Sequence, residues 1–279
     1  MAPKLGILAG GGTLPRRVVE VCRADGRDVF VLAFEGQTDP ATVTEVSHAW
    51  TRLGQVGAAI AALRKAGVED LVMIGPVGRP SVRELGLDLK GAKLAARIGA
   101  ASLSDDNLLR AIVTMLEGEG FRVLGIDDIL EDLVAPAGPL GQVPVPEDAA
   151  ADIRRGIAVA RSLGAADVGQ AAVVQQGIVL GVEAVEGTDR LLARCAELRR
   201  RGPGGVLVKI RKPQQETRVD LPTVGPRTVA GAAAAGLRGI AVQAGATLVV
   251  DRPRVAREAD AAGLFVVGVA LPEDDPQIV

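Results

Sequence analysis

Histidine occurs once in the chain, at His48, and this scarcity excludes more chemistry than any other feature. Histidine-rich metal clusters are impossible, and so is any mechanism that needs two imidazoles. A Ser-His-Asp triad would have to use His48, which lies in Val-Ser-His-Ala-Trp with no nucleophile motif beside it. His48 is therefore expected to be an ordinary, partly exposed residue. A bound metal must take mainly oxygen ligands, which favours Mg²⁺ or Mn²⁺ over Zn²⁺. Aromatic residues are almost as rare, with four Phe, one Trp and no Tyr. Stacking platforms for bases are scarce, and a net charge of −2 lacks the basic surplus of a phosphate-backbone binder. Nucleic acid is not an expected partner. The two cysteines, Cys22 and Cys195, fall in stretches of helical periodicity and read as small buried apolar residues. No disulfide framework or zinc spacing is available, so a reducing cytoplasm is expected. The longest stretch without charge, 168–182, contains Gly and Gln and falls short of the roughly 20 residues a membrane span requires. The N-terminal apolar run is too short for a signal peptide and reads as a first strand. A soluble protein is expected.

What is present is a long alternation of strand and helix signals. The 279 residues suffice for two domains, each with its own core. Strands are expected over 4–8, 28–34, 70–74 and 121–126, with helices after Thr13, over 55–65 and from Ser104 to about Glu117. Thr13 is expected to cap the first helix, with Leu14, Val18, Val21 and Cys22 on its apolar face. Apolar strands alternating with helices mean a doubly wound, Rossmann-like parallel sheet. Between 131 and 146 the pattern lapses into Pro136, Pro139, Pro144 and Pro146 with Gly138 and Gly141, which reads as a stiff linker. The expected organisation is an N-terminal domain over 1–131, a linker over 132–146 and a C-terminal α/β domain over 147–279. In the second half, strands over 171–175 and 178–183 flank Gln176-Gly177. A helix follows over 188–201, then strands over 206–210, 239–243, 246–250 and 264–269, with helices after Pro226 and near 252–262. Close strand pairs beside α/β units imply a mixed sheet.

The richest segment is 205–226, where an apolar strand runs into a loop that gathers Lys209, Arg211, Lys212, Glu216, Arg218 and Asp220. Four cations around two carboxylates, with Pro222, Gly225 and Pro226 stiffening the exit, suit an anionic ligand accompanied by a metal. Asp220 lies between Val219 and Leu221, so it should be partly buried and in need of a partner. Near the N-terminus, Gly10-Gly11-Gly12-Thr13 joins a strand to a helix, where a phosphate would meet helical N–H groups. Gly10 and Gly12 fit a dinucleotide fingerprint, but Pro15 replaces its third glycine. A tight turn without ligand and a nucleotide or sugar-phosphate contact both remain open. Glu35 at the end of the second strand would supply a ribose acid, which keeps an NAD(P)-dependent oxidoreductase as an alternative. A non-catalytic protein that binds a nucleotide-sugar or lipid is a third reading. Arg79 lies in a Gly/Pro loop at the end of a strand, where open α/β sheets bind ligands. Glu186-Gly187-Thr188-Asp189 precedes a helix and reads as a cap by Thr188, with Glu186 left for other work.

Four motifs occur in order: Gly10-Gly11-Gly12-Thr13-Leu14-Pro15, Val174-Gln175-Gln176-Gly177, the run from Glu183 to Asp189, and the run from Arg218 to Pro226 containing Asp220-Leu221-Pro222. In these the chain resembles the LpxI-type UDP-2,3-diacylglucosamine diphosphatases of lipid A biosynthesis, over nearly its whole length. The resemblance implies hydrolysis of UDP-2,3-diacylglucosamine to UMP and 2,3-diacylglucosamine 1-phosphate, with Mg²⁺ or Mn²⁺ as cofactor. It implies two domains with the substrate held between them; the sequence leaves a homodimer open. The essential aspartate of the family's Asp-Leu-Pro motif falls on Asp220, which is the expected catalytic residue and, with Glu186, the expected metal ligand. Matched by motif or charge, the expected substrate contacts are Gly10, Gly11, Gly12, Thr13, Leu14, Arg79, Gln175, Gln176, Thr188, Lys209, Lys212, Arg218 and Thr223.

Overall fold

The structure is a computed structural model that describes residues 2–78, 86–98 and 105–271. It divides into two compact units. The first comprises Met1–Glu131 together with Glu216–Asp220, and the second comprises Asp132–Gln215 and Leu221–Val279. The short segment that ends on Asp220 thus belongs to the first unit, although its sequence neighbours on both sides belong to the second.

The first unit is built on five parallel strands, β1 (Leu5–Ala9), β2 (Val29–Phe34), β3 (His48–Thr51), β4 (Asp70–Ile74) and β5 (Arg122–Val123), in the order β3-β2-β1-β4-β5. This is the Rossmann-like arrangement expected, with its switch point between β1 and β4. β1 and β2 are buried along their whole length, as strands covered on both faces should be. The helices are α1 (Leu14–Ala24), α2 (Val56–Lys65), α3 (Leu89–Ile98) and α4 (Asp105–Gly118). Helix α1 buries Pro15, Val18, Val19 and Cys22, so its inner face is rotated from the expected one and Val21 lies beside it. Two carboxylates brace this unit. Asp70, 1 % exposed at the start of β4, receives both Nε and Nη2 of Arg122 at 2.8 and 2.7 Å and Nη2 of Arg27 at 2.5 Å. Asp88 accepts from the backbone N–H groups of Gly57 and Gly91 at 2.6 and 2.8 Å, and so caps α2 and α3 together.

The second unit holds α5 (Ala149–Ala165), α6 (Gly187–Glu197), α7 (Pro226–Ala234) and α8 (Arg252–Ala261) around a six-stranded mixed sheet. Its strands are β6 (Gly138–Pro139), β7 (Ala171–Gln175), β8 (Ile178–Val182), β9 (Val206–Lys209), β11 (Gly239–Gln243) and β13 (Phe265–Val269), in the order β6-β13-β11-β9-β7-β8. The three central strands β13, β11 and β9 run parallel, and the flanking pairings are antiparallel. One face buries Ile153, Ile157 and Ala160 of α5; the other buries residues of α6, α7 and α8, among them Leu191, Val229 and Val255. The expected strand over 246–250 does not join this sheet. β12 (Leu248–Val249) pairs instead with β10 (Thr223–Val224) in a separate two-stranded ladder.

The stretch 132–146, expected as a linker, is built into the second unit. Ala135 N donates to Thr247 O at 2.8 Å, β6 pairs with the edge of β13, and Asp260 Oδ1 accepts from Gln142 N and Val143 N at 2.7 and 3.2 Å. Proline fixes an extended backbone and lacks a donor, which suits an edge strap as well as a spacer.

Candidate active site

Every residue of β9 is buried, so its apolar alternation with neighbouring strands delivers Lys209 to the strand's C-terminal end with almost no solvent around it. Lys209 Nζ donates to Thr188 Oγ1 at 2.8 Å, and that hydroxyl donates in turn to Glu183 Oε1 at 2.5 Å. The ammonium lies 3.9 Å from the same carboxylate oxygen, and the other oxygen accepts from Gln170 N at 3.2 Å. An acid and a base buried together and bridged by an oriented hydroxyl satisfy one another's hydrogen-bonding needs. Thr188 therefore does not cap α6 as expected, and the cluster includes Glu183, which opens one of the four motifs but was not among the expected contacts. Apart from that motif, its sequence signal was an acid at the end of an apolar strand, five residues before Thr188.

Beyond β9 the loop's cations part company. Lys212, 9 % exposed, donates to Asp167 Oδ1 at 2.7 Å. Arg218 grips Glu216 with Nε and Nη2 at 2.8 and 3.0 Å and reaches Glu117 Oε1 with Nη1 at 2.5 Å. The arginine beside it holds the Glu216 carboxyl below the usual range, and Glu216 raises the Arg218 value in return. Asp220 is half-buried, as its apolar neighbours required, and its N–H donates to Glu216 O at 3.0 Å. Thr223 Oγ1 donates to Leu221 O at 3.1 Å, which closes the turn after Asp220-Leu221-Pro222.

Two expected contacts have structural employment. Gln175 is fully buried, and its Nε2 donates to Arg200 O and Pro203 O at 3.0 and 2.7 Å while Oε1 accepts from Arg200 N at 2.9 Å. Both amide hydrogens are spent on backbone, so the side chain pins the loop after α6. Gln176 and Gly177 have φ of 53° and 76° and form the two-residue turn between β7 and β8. The buried Asp152 receives their two N–H groups at 3.1 and 2.7 Å, together with Arg238 Nη2 at 2.8 Å.

Glu186 is paired with Arg194 at 2.7 Å, and its carboxyl is held low by its own backbone N–H and by that guanidinium. A cation would have to compete with Arg194 there. Among the described residues, no three His, Cys, Asp or Glu side chains form a group that could cage a metal. The half-buried carboxylate of Asp220 fits the other mode open to Mg²⁺, in which one or two carboxylates and the substrate's phosphates share the ion.

In the first unit, the glycine loop lies against the loop after β4. Gly10 N donates to Ile74 O and Gly11 N to Pro76 O, each at 2.8 Å. A Cβ on Gly10 would stand 2.3 Å from Gly75 O, so the two loops touch backbone to backbone. Those two amides are therefore not turned to a phosphate, which weakens the dinucleotide fingerprint. Gly12 and Thr13 are exposed, Leu14 is half-buried, and Thr13 begins α1 without a side-chain cap. Glu35, the ribose acid of the oxidoreductase reading, is exposed and paired with Arg52 at 2.9 Å. His48 is exposed, both cysteines are buried, and Arg79 lies outside the described residues.

Comparison with known proteins gives the family. Residues 4–133 match the LpxI N-terminal domain and residues 136–267 the LpxI C-terminal domain. The chain is 44% identical over 282 residues to the UDP-2,3-diacylglucosamine pyrophosphatase LpxI of Caulobacter vibrioides, covering 98% of each chain. Among solved structures, the biotin carboxylase domain of a single-chain bacterial carboxylase is 14% identical, covering 63% of this chain and 38% of that one, with a TM-score of 0.20. At that score the likeness carries no argument. With both halves matched in order, and a relative aligned from end to end, the chain belongs to the LpxI family.

Proposed function

We propose that this chain hydrolyses the pyrophosphate bond of UDP-2,3-diacylglucosamine, releasing UMP and 2,3-diacylglucosamine 1-phosphate. The observation that carries the reading is the full-length match to a relative named for this activity, with both LpxI domains present. Water adds to one phosphorus, the anhydride P–O bond breaks, and the departing phosphate takes the electron pair. The barrier is lowered by whatever neutralises the phosphoryl oxygens and removes the water's proton. In this reading Asp220 accepts that proton or orients the water. Lys209, fixed by Thr188 and Glu183, gives the second unit a positioned cation of the kind an anionic ligand needs. Asp220 would hold Mg²⁺ from the protein side, and the ion would supply neutralisation of the phosphates' charge. The acyl chains of such a substrate belong in a bilayer, so we infer peripheral contact with the inner face of the cytoplasmic membrane. No helix among the described residues is long and apolar enough to cross it.

The test is UMP release from UDP-2,3-diacylglucosamine by the full chain and by Asp220→Asn. The variant should lose at least ~10²-fold in turnover, the lower end of what a positioned acid–base group contributes. It should still fold and bind lipid. Near-normal turnover with Asn at this position would make the residue structural. Tight lipid binding by the unaltered chain without UMP release would replace the enzyme by a carrier.

A further inference from the structure

We propose that Glu117, on α4, positions the turn that carries Asp220 through an ion clamp formed by Glu117, Arg218 and Glu216. The inference rests on reading Asp220 as the acting carboxylate. Arg218 is held from two sides, with Nη1 on Glu117 Oε1 at 2.5 Å and Nε and Nη2 on the two oxygens of Glu216 at 2.8 and 3.0 Å. A planar fork gripped in this way has one orientation. The residues around it form a tight turn, because Val219 N and Asp220 N both donate to Glu216 O, at 3.2 and 3.0 Å. Asp220 lies two residues from the clamped guanidinium, inside the same turn.

A second hold acts on the same segment. Val219 packs against the apolar cluster of the first unit that includes Val113 and Leu116, the latter adjacent in sequence to Glu117. Apolar contact gives attraction without direction; the fork supplies the direction. Removing Glu117 leaves Val219 seated but lets the guanidinium, and with it the turn, rotate. The clamp adds little to global stability, since the side chains of Arg218 and Glu117 are 36% and 43% exposed and water screens them. A residue that matters for geometry and hardly for stability should reveal itself in turnover. Glu117 is therefore a positioning residue, one hundred and one residues from Arg218 along the chain, and it touches no reacting atom.

The experiment uses the full chain, with UMP release, melting temperature and hydrogen–deuterium exchange read on Glu117→Gln, Glu117→Asp and Asp220→Asn. In Glu117→Gln, kcat should fall about tenfold or more, because a displacement of ~1 Å can cost up to ~10²-fold. KM and melting temperature should hold, and amides over 216–220 should exchange faster. Glu117→Asp, which keeps the charge on a shorter arm, should lie between. Unchanged kcat and exchange in Glu117→Gln, with Asp220→Asn inactive, would overturn the clamp and leave the catalytic reading standing. A fall in kcat without faster exchange at 216–220 would also overturn it. Normal turnover in Asp220→Asn would remove the catalytic reading, and the clamp's purpose with it.

Discussion

Replacing Gln175 by Ala separates two readings of one motif. If Gln175 touches substrate, its loss raises KM; if it pins the loop after α6, its loss weakens the second unit. The structure gives three hydrogen bonds to Arg200 and Pro203, all around a side chain with no solvent exposure. At about 0.5–1.5 kcal/mol net for each bond, the change should cost roughly 1.5–4.5 kcal/mol, with the upper part reached if the freed carbonyls and N–H stay dry. With two units in the chain a single free energy is not defined, and the readout should be the calorimetric transition of the second unit. That transition should move down by several degrees, because each kcal/mol shifts a unit of this size by roughly 3–5 °C. UMP release measured well below the transition should keep its KM. An unmoved transition with a raised KM would refute the structural assignment and return Gln175 to the substrate.

Asp70→Asn removes the charge that two arginines share; it should cost about 2 kcal/mol in the first unit, less than the ~3–5 of a fully buried pair because the Arg122 side chain is 65% exposed. Thermal melting would check this, and a shift below one degree would contradict it. Asp88 predicts a pH effect: burial pushes its carboxyl up, but the N–H groups of Gly91, Gly57 and Ala58 outweigh it and set it below the ordinary 3.8. A depressed folded value means the stabilisation is complete above pH 3.8 and is lost as pH falls through the lower folded value. Melting between pH 5 and pH 2.5 should therefore show a steeper acid loss in the native chain than in Asp88→Asn, and parallel curves would count against the double cap. Finally, EDTA should abolish UMP release and Mg²⁺ or Mn²⁺ should restore it. Full turnover in chelator, with no metal found by elemental analysis, would refute the oxygen-ligand site.

The architecture was legible where one physical rule dominated. Uninterrupted apolar strands such as Val29–Phe34 can only be buried on both faces, and the parallel sheet follows. The strap over 132–146 was misread because proline reports backbone conformation and says nothing about what lies alongside. Within the site, Lys209 and Thr188 were visible as residue types, but their pairing across 21 positions is a product of the fold. The four cations of the 205–226 loop looked like one cluster because they are close in sequence. Each has a separate partner in space: Thr188 for Lys209, Asp167 for Lys212, the Gln243 side chain for the Arg211 backbone, Glu117 and Glu216 for Arg218. Glu117 itself gave no signal, since one acid on an amphipathic helix resembles any other.

The return of Glu216–Asp220 to the first unit has a consequence for biosynthesis. At ~5–20 residues per second, the chain from Asp132 to Asp220 takes roughly 4–18 s to be made after Glu131 is added. Throughout that interval the β1–β5 sheet can form, but Val219 and Arg218 do not yet exist. The first unit begun is thus not completed until the middle of the second has left the ribosome, and a nascent chain arrested before residue 216 should expose an unfilled apolar seat near Val113 and Leu116.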